Sequence, residues 1–294
     1  MEQLLPFIAV GLGIGAVYAL SGVGLVALYR ASGVVNFAYG ALGGLGAMVC
    51  WEIVDAGYAE WLGWLAAIVT ATLLSFLYGR FIAPLLTHQD RIVRAVATLG
   101  FALMIMGLAQ WYWGDAPRRL TLPTDTGGIE FNGRRVINYT RLLALGVALS
   151  MTVGMALLLT RTRLGLGMRA LQSDRTLSSL LGIRIARVDA WAWAITGVFA
   201  GISGIFLANM IKLNPAVLTF LVIPGLAAAI VGRLTSLWAT VAGGLVIGVI
   251  EALAALHPVS AKLGTSAAFI VAITVILWLQ RGGIGLSRDN SHLQ

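Results

Sequence analysis

The chain reads as an all-α polytopic membrane protein. It is expected to form one bundle of eight or nine transmembrane segments, one or two of them short or broken, with a cytoplasmic helical loop. Three observations predict this. Of 294 residues, 59% are hydrophobic and 11% charged, against roughly a quarter charged in soluble domains. Apolar runs long enough to cross a ~30 Å hydrocarbon core recur along the whole length. Inside that core backbone groups have no water partner, so each run must be helical. The remaining charge is concentrated: Arg161–Arg187 carries six Arg and one Asp, a net of +5 out of the chain's formal +8.

Taken in order, the candidate spans are 4–28, 35–50, 61–79, 95–113, 142–160, 189–210, 217–232, 237–256 and 264–280. The first is no cleavable leader. It opens with Glu2, exceeds the ~7–15 residues of a signal core and lacks a small-x-small cleavage site. Segments 35–50 and 217–232 are short enough to be broken or re-entrant. All of 1–294 forms a single transmembrane domain, with two sizeable loops at 114–141 and 161–188. In the first loop, Ile129-Glu130-Phe131, Asn132-Gly133 and Arg134–Ile137 read as a hairpin with an Asn-Gly turn. Its simplest role is to cover the bundle, and docking an external partner is the alternative. Pairs of small residues four apart, such as Gly11/Gly15, Gly40/Gly44, Gly197/Gly201 and Gly244/Gly248, let helices approach closely.

Charge sets the expected orientation. With the 161–187 loop inside, 13 of the 20 basic residues fall inside and seven outside. The net is then +9 inside and 0 outside, as the positive-inside tendency requires. The N-terminus is therefore expected outside and the C-terminus in the cytoplasm. The five Arg of 114–141 run against this pattern. Because the Arg residues sit mostly in short loops, the basic balance calls for no nucleic-acid partner. Cys50 is the single cysteine, so neither an intrachain disulfide nor a Cys-based metal site is expected.

Few residues could carry chemistry. Glu251 lies within span 237–256, where a carboxylate costs ~2.5–3.5 kcal/mol or more unless it meets a partner or water. It is either a helix–helix hydrogen bond or part of a translocation path. Gly201-Ile202-Ser203-Gly204, with His257 as base, matches the outline of an intramembrane serine protease. However, His257 precedes Pro258 at a helix end, and short Gly/Ser motifs are common in Gly-rich helices. His88 and His292 lie in loops and make no metal constellation. Asn36 opens the short segment 35–50 with Phe37 and Tyr39 behind it. It is either an ordinary N-cap or the start of a helix aiming its positive end into a cavity. In the basic loop, Leu171, Leu177, Leu180 and Leu181 recur at helical spacing opposite Arg169, Gln172, Arg175 and Ser179, and Gly182 is a stop signal. An amphipathic helix over Leu164–Leu180 is expected there, lying on anionic lipid or in a groove of a soluble partner.

The loop residues Arg169-Ala170, Asp174, Ser179-Leu180-Leu181-Gly182-Ile183 and Arg187-Val188 resemble the coupling-loop signature of LivH-type permeases. These are subunits of ABC importers of branched-chain amino acids and related compounds. Gly15–Leu20, Asn36–Gly40, Phe131-Asn132-Gly133 and Gly243-Gly244 through Gly248 to Glu251-Ala252-Leu253 resemble the same family. The resemblance runs in order along essentially the whole chain.

It implies one of two related permease subunits forming a pore in a bacterial inner membrane. Partners would be a second homologous permease, two cytoplasmic ATP-binding subunits, an extracytoplasmic substrate-binding protein and membrane lipid. ATP and magnesium would belong to the ATP-binding subunits, since this chain has no Walker motif and no cofactor of its own. By the same resemblance, Asn36, Phe37, Tyr39, Gly40 and Glu251 would line the substrate pathway. Arg169, Leu171, Asp174, Arg175, Leu177, Leu181 and Gly182 would couple to the ATPase. The chain departs from the family pattern at Tyr39 and Ala41, which stand in place of a His and a Glu, and at Arg233, in place of a small Gly. If segment 35–50 lines the pathway, the first two changes point away from the family's usual amino-acid substrate and toward an aromatic or otherwise apolar carboxylate, or an amide. A stand-alone secondary transporter is the remaining alternative.

Overall fold

The computed structural model describes residues 4–131, 134–220 and 222–256, with a few positions in 270–277. The helices are α1 (Leu4–Ser32), α2 (Tyr39–Asp55), α3 (Glu60–Leu77), α4 (Ala83–Leu85), α5 (Arg91–Trp113), α6 (Tyr139–Arg161), α7 (Arg163–Ser173), α8 (Arg175–Leu180), α9 (Ile185–Met210), α10 (Pro215–Phe220), α11 (Val222–Val231) and α12 (Leu237–Ala254). A π-helical turn, Tyr78–Ile82, joins α3 to α4. Two strands, β1 (Gly128–Phe131) and β2 (Arg134–Asn138), pair antiparallel with an irregularity between Ile129 and Glu130.

Among the described residues, six helices are long and apolar enough to cross a membrane. The expected eight or nine spans are thus reduced to six by this measure. Helix α2 has only 17 residues, and Pro215–Val231 is likewise a short apolar stretch. The expected span 264–280 and His257 lie outside the described residues, apart from isolated helical positions near 270–277.

The bundle has a centre and a rim. The apolar windows of α1 and α9 are 72% and 78% buried, whereas those of α3, α5 and α6 are 22–28% buried. Helix α1 packs on α12, α9, α11 and α6, and α9 also packs on α2 and α3. The peripheral helices turn Leu65, Val69, Leu73, Leu103, Leu108 and Leu157 outward. In water such faces would be a liability; in a bilayer they are the lipid contact.

Glycine explains the tight centre. A Cβ at Gly248 would fall on the backbone of Gly15, and one at Gly204 on the backbone of Gly43. Without an apolar driving force between helices in lipid, association rests on such close packing.

Candidate functional site

Two groups of polar residues lie at opposite ends of the bundle, and a third lies between them. Helix α9 runs from the basic loop at its start to Met210 at its end, so it spans the distance between the two ends.

At the basic end, the loop forms two helices where one was expected. Asp174 breaks the run. Its backbone is extended, and its side chain accepts from the Leu177 N–H, capping α8. The stop comes two residues past α8, where Gly182 has φ +83° and the Ile183 N–H bonds back to the Ser178 carbonyl. This left-handed C-terminal turn favours a residue without Cβ.

The side chains divide differently from the expected amphipathic pattern. Leu171 is 3% exposed, and Arg175 turns inward, so both brace the loop and neither is free for a partner. Leu177, Leu180 and Leu181 are 54%, 79% and 73% exposed. Arg175 donates to the Ala31 carbonyl at 3.0 Å and forms an ion pair with Asp189. Arg30 donates to Gln172 at 3.2 Å. The loop is therefore fastened to the end of α1 and to the start of α9. Arg169 remains exposed on α7.

From Ser32 the chain continues without a helix to Tyr39, and this connection is pinned to α5. The Phe37 N–H donates to Thr98 Oγ1 at 3.0 Å. Asn36 is 1% exposed, and its Oδ1 accepts from the Ala38 N–H at 2.9 Å. This is an Asx turn ahead of α2 rather than an N-cap, since Ala38 holds the cap position. Asn36 Nδ2 is buried with no hydrogen-bond partner.

Tyr39 continues inward, its phenol 3.1 Å from Ser203 Oγ. Ser203 also donates to the Ala200 carbonyl. The two line a cavity of about 10 Å³ together with Ser21 and Gly43. That is room for about one water and no amino acid. Gly40 is closed as well, since a Cβ there would strike the Thr219 carbonyl of α10. Asn36, Tyr39 and Gly40 are thus brought together, with Phe37 half-buried beside them, in a shut region of the chain.

Glu251 is not part of that group. It sits on α12 and accepts from the Tyr18 phenol of α1 at 2.9 Å. Of the two readings open for it, the structure displays the helix–helix hydrogen bond. Ser203 is likewise engaged by Tyr39 and backbone, and among the described residues no His, Cys, Asp or Glu group could hold a metal.

At the far end, Asp125 gathers the loop 114–141 onto the bundle. Its Oδ1 accepts from Thr140 Oγ1 at 2.6 Å and Asn138 Nδ2 at 3.2 Å. Its Oδ2 accepts from the Leu122 N–H at 2.8 Å and Asn209 Nδ2 at 2.6 Å. Burial pushes its pKa up, but these four donors outweigh burial and hold the carboxyl below its ordinary value. Nearby, Arg118 stacks its guanidinium 4.2 Å from the Trp51 ring and bonds the Trp113 carbonyl. Reading the sequence missed Asp125, Ser21 and the Arg175–Asp189 pair. Ser21, a hydroxyl in the middle of an apolar span, was the one detectable signal.

Comparison with known proteins places this architecture in a class. The family described as branched-chain amino acid transport system / permease component matches residues 7–278. The chain belongs to that family: it is a multi-pass membrane permease of the ABC transporter type, not an enzyme. It is similar to the high-affinity branched-chain amino acid transport system permease protein LivH of Escherichia coli, with 25% identity over 97% of each chain. It is also similar to BraD of Pseudomonas aeruginosa, with 25% identity over 83% of this chain and 84% of that one. A probable LivH of Methanocaldococcus jannaschii is 24% identical over 82% of this chain and 78% of its own. Among solved structures, PsaBC from Streptococcus pneumoniae in complex with Fab aligns over 94% of this chain and 89% of its own, at 12% identity and a TM-score of 0.42.

Proposed function

We propose that this chain forms half of the translocation pathway of an ATP-driven importer in the inner membrane. A second homologous permease supplies the other half. Two cytoplasmic ATP-binding subunits, carrying ATP and magnesium, drive it, and an extracytoplasmic binding protein delivers the solute. The N-terminus is outside and the C-terminus inside. The solute is a branched-chain amino acid or a related small carboxylate or amide.

The observation that carries this reading is the basic loop. Leu177, Leu180 and Leu181 form an exposed apolar patch on a short helix, while Arg175 fastens that helix to α1 and α9. A soluble motor pressing on the patch moves the α1–α2 connection, because Ala31 and Asn36 lie five residues apart on one continuous strand of chain. The shut region around Tyr39 and Ser203 fits a closed state of such a pump. Gly182 belongs to the coupling element as its stop, Asp174 as its cap and Arg169 as its exposed charge.

The test is a mild-detergent pull-down of the chain from its native membranes with mass spectrometry, repeated with Gly182→Asp. Recovery of an ATPase and a second permease, reduced in the variant, supports the reading. Recovery of the chain alone across several mild detergents overturns it in favour of a self-sufficient transporter.

A further inference from the structure

A polar cavity of about 380 Å³ opens at the end of the bundle opposite the basic loop. It is lined by Arg119 and Lys212, both exposed, by half-buried Arg141, and by Asp125. Its volume falls within the ~300–1,000 Å³ of small-molecule sites. Each element contributes for a local reason. Arg141 is the third residue of α6, and its stem lies across Gly13 of α1, where a Cβ would stand 2.7 Å from the Arg141 Cβ and Cγ. Lys212 follows the end of α9, held by the Arg118–Leu213 backbone bridge. Arg119 is the next residue after that bridge on the other side.

The charge balance decides what fits. A carboxylate offers about four lone-pair sites, and Asp125 fills four of them with neutral donors from Thr140, Asn138, Asn209 and the Leu122 N–H. It forms no hydrogen bond or ion pair with any of the three cations. Three positive side chains therefore face one carboxylate whose acceptor sites are taken, a net of about +2 around an open cavity. The first turn of α6 adds a positive dipole end, its Tyr139 and Thr140 N–H groups being taken by the Gly127 carbonyl and Asn138 Oδ1. The depressed pKa of Asp125 agrees with a carboxylate satisfied from within.

The geometry points to this cavity as a binding site for the carboxylate of a small organic anion, with Arg141 as its principal ligand and Lys212 and Arg119 at the rim. This inference rests on the permease reading for its biological use: it narrows the solute to an acid and excludes a neutral amide. A cation or an ammonium group finds no free acceptor on Asp125.

The test uses the full chain in lipid nanodiscs and equilibrium binding of three probes with one side chain: 4-methyl-2-oxopentanoate, leucine and 4-methylpentanamide. The oxo acid is expected to bind saturably and less tightly as salt rises, leucine more weakly, and the amide not at all. Arg141→Gln should weaken the acid by about tenfold or more, as expected for losing a charge-assisted bond. Arg141→Lys should recover most of that loss. Lys212→Gln, on the exposed rim, tests the same site without touching the packing over Gly13 and should weaken the acid several-fold. Equal binding of acid and amide, or unchanged binding in both Gln variants, overturns the proposal. So does failure of the free acid to bind while Lys212→Glu abolishes uptake stimulated by a binding protein, for then the carboxylate belongs to that protein. ATP-dependent uptake by the complete transporter is measured in parallel. Uptake without acid binding defeats this inference alone; acid binding without ATP-dependent uptake defeats the importer reading and leaves the site standing.

Discussion

Arg175 of α8 holds two separate helices at once: it is ion-paired with Asp189 at the start of α9 and donates to the Ala31 carbonyl at the end of α1. The side chains are 29% and 16% exposed, so the pair is screened only in part. Removing one partner of a fully buried pair costs ~3–5 kcal/mol, and an exposed pair contributes about 0–1. Arg175→Gln is therefore expected to lower stability by about 1–3 kcal/mol, between those limits. Uptake should fall more steeply than stability, and the exchange Arg175→Asp with Asp189→Arg should restore part of both. Thermal unfolding in detergent, set beside vesicle uptake, checks this. Equal and independent losses in singles and double would show no coupling.

The Tyr18–Glu251 bond predicts an asymmetry. Tyr18→Phe removes the donor and leaves a half-buried carboxylate without it, at a cost of about 1–3 kcal/mol. Glu251→Gln keeps an acceptor oxygen for Tyr18 and should retain folding and uptake. A large loss of uptake with normal folding in Glu251→Gln would return that residue to the solute pathway.

Packing at the α1–α12 crossing makes Gly248→Ala destructive. Its new methyl would meet the backbone of Gly15 and the Gly11 carbonyl, neither of which can yield as a side chain would, and overpacking costs typically ~1–3 kcal/mol, occasionally more. Gly100→Ala on α5 meets nothing within 4 Å and should be silent or slightly stabilising. Size-exclusion profiles and melting temperatures of the two variants compare them directly.

Arg233 stands at φ +54° and Leu234 at φ +57° in the turn between α11 and α12. A non-glycine residue in the left-handed region costs roughly 1–2 kcal/mol. Glycine's larger unfolded-state entropy offsets part of this, so Arg233→Gly should stabilise by about 0.5–1 kcal/mol. A melting temperature equal to or below that of the parent chain would contradict this.

Asp125 predicts an acid limb in stability. Its folded pKa lies below the ordinary value, so its contribution is complete above about pH 3.9. It is lost as pH falls through the depressed folded value. Asp125→Asn should flatten that part of the melting temperature–pH curve. A limb of unchanged size in the variant would assign it to other carboxylates.

Much of this architecture was legible from the sequence where one physical rule dominates. Leu4–Ser32, Arg91–Trp113, Tyr139–Arg161 and Ile185–Met210 are long and apolar, and lipid leaves them no choice but helix. The stop at Gly182 was legible because only a left-handed turn ends a helix that way. The break at Asp174 was not, since Asp is compatible with both a helix face and a cap. Leu171 and Leu177 looked equivalent by spacing, yet one faces the bundle and the other solvent, which depends on where α7 sits. The Asp125 cluster was hidden because Asn209 lies 84 residues away in the chain. The Arg residues of 114–141 stood out only as an exception to the topology rule, and the meeting of Arg119 and Arg141 with Lys212 required the fold.

Neither Gly15 nor Gly248 has room for a methyl where α1 crosses α12, so these two helices, far apart in the chain, form a single fitted joint. A hybrid made by splicing the first half of this chain to the second half of a relative would have to match that joint atom for atom. Exchange within the rim helices, whose outer faces turn away from the bundle, carries no such demand.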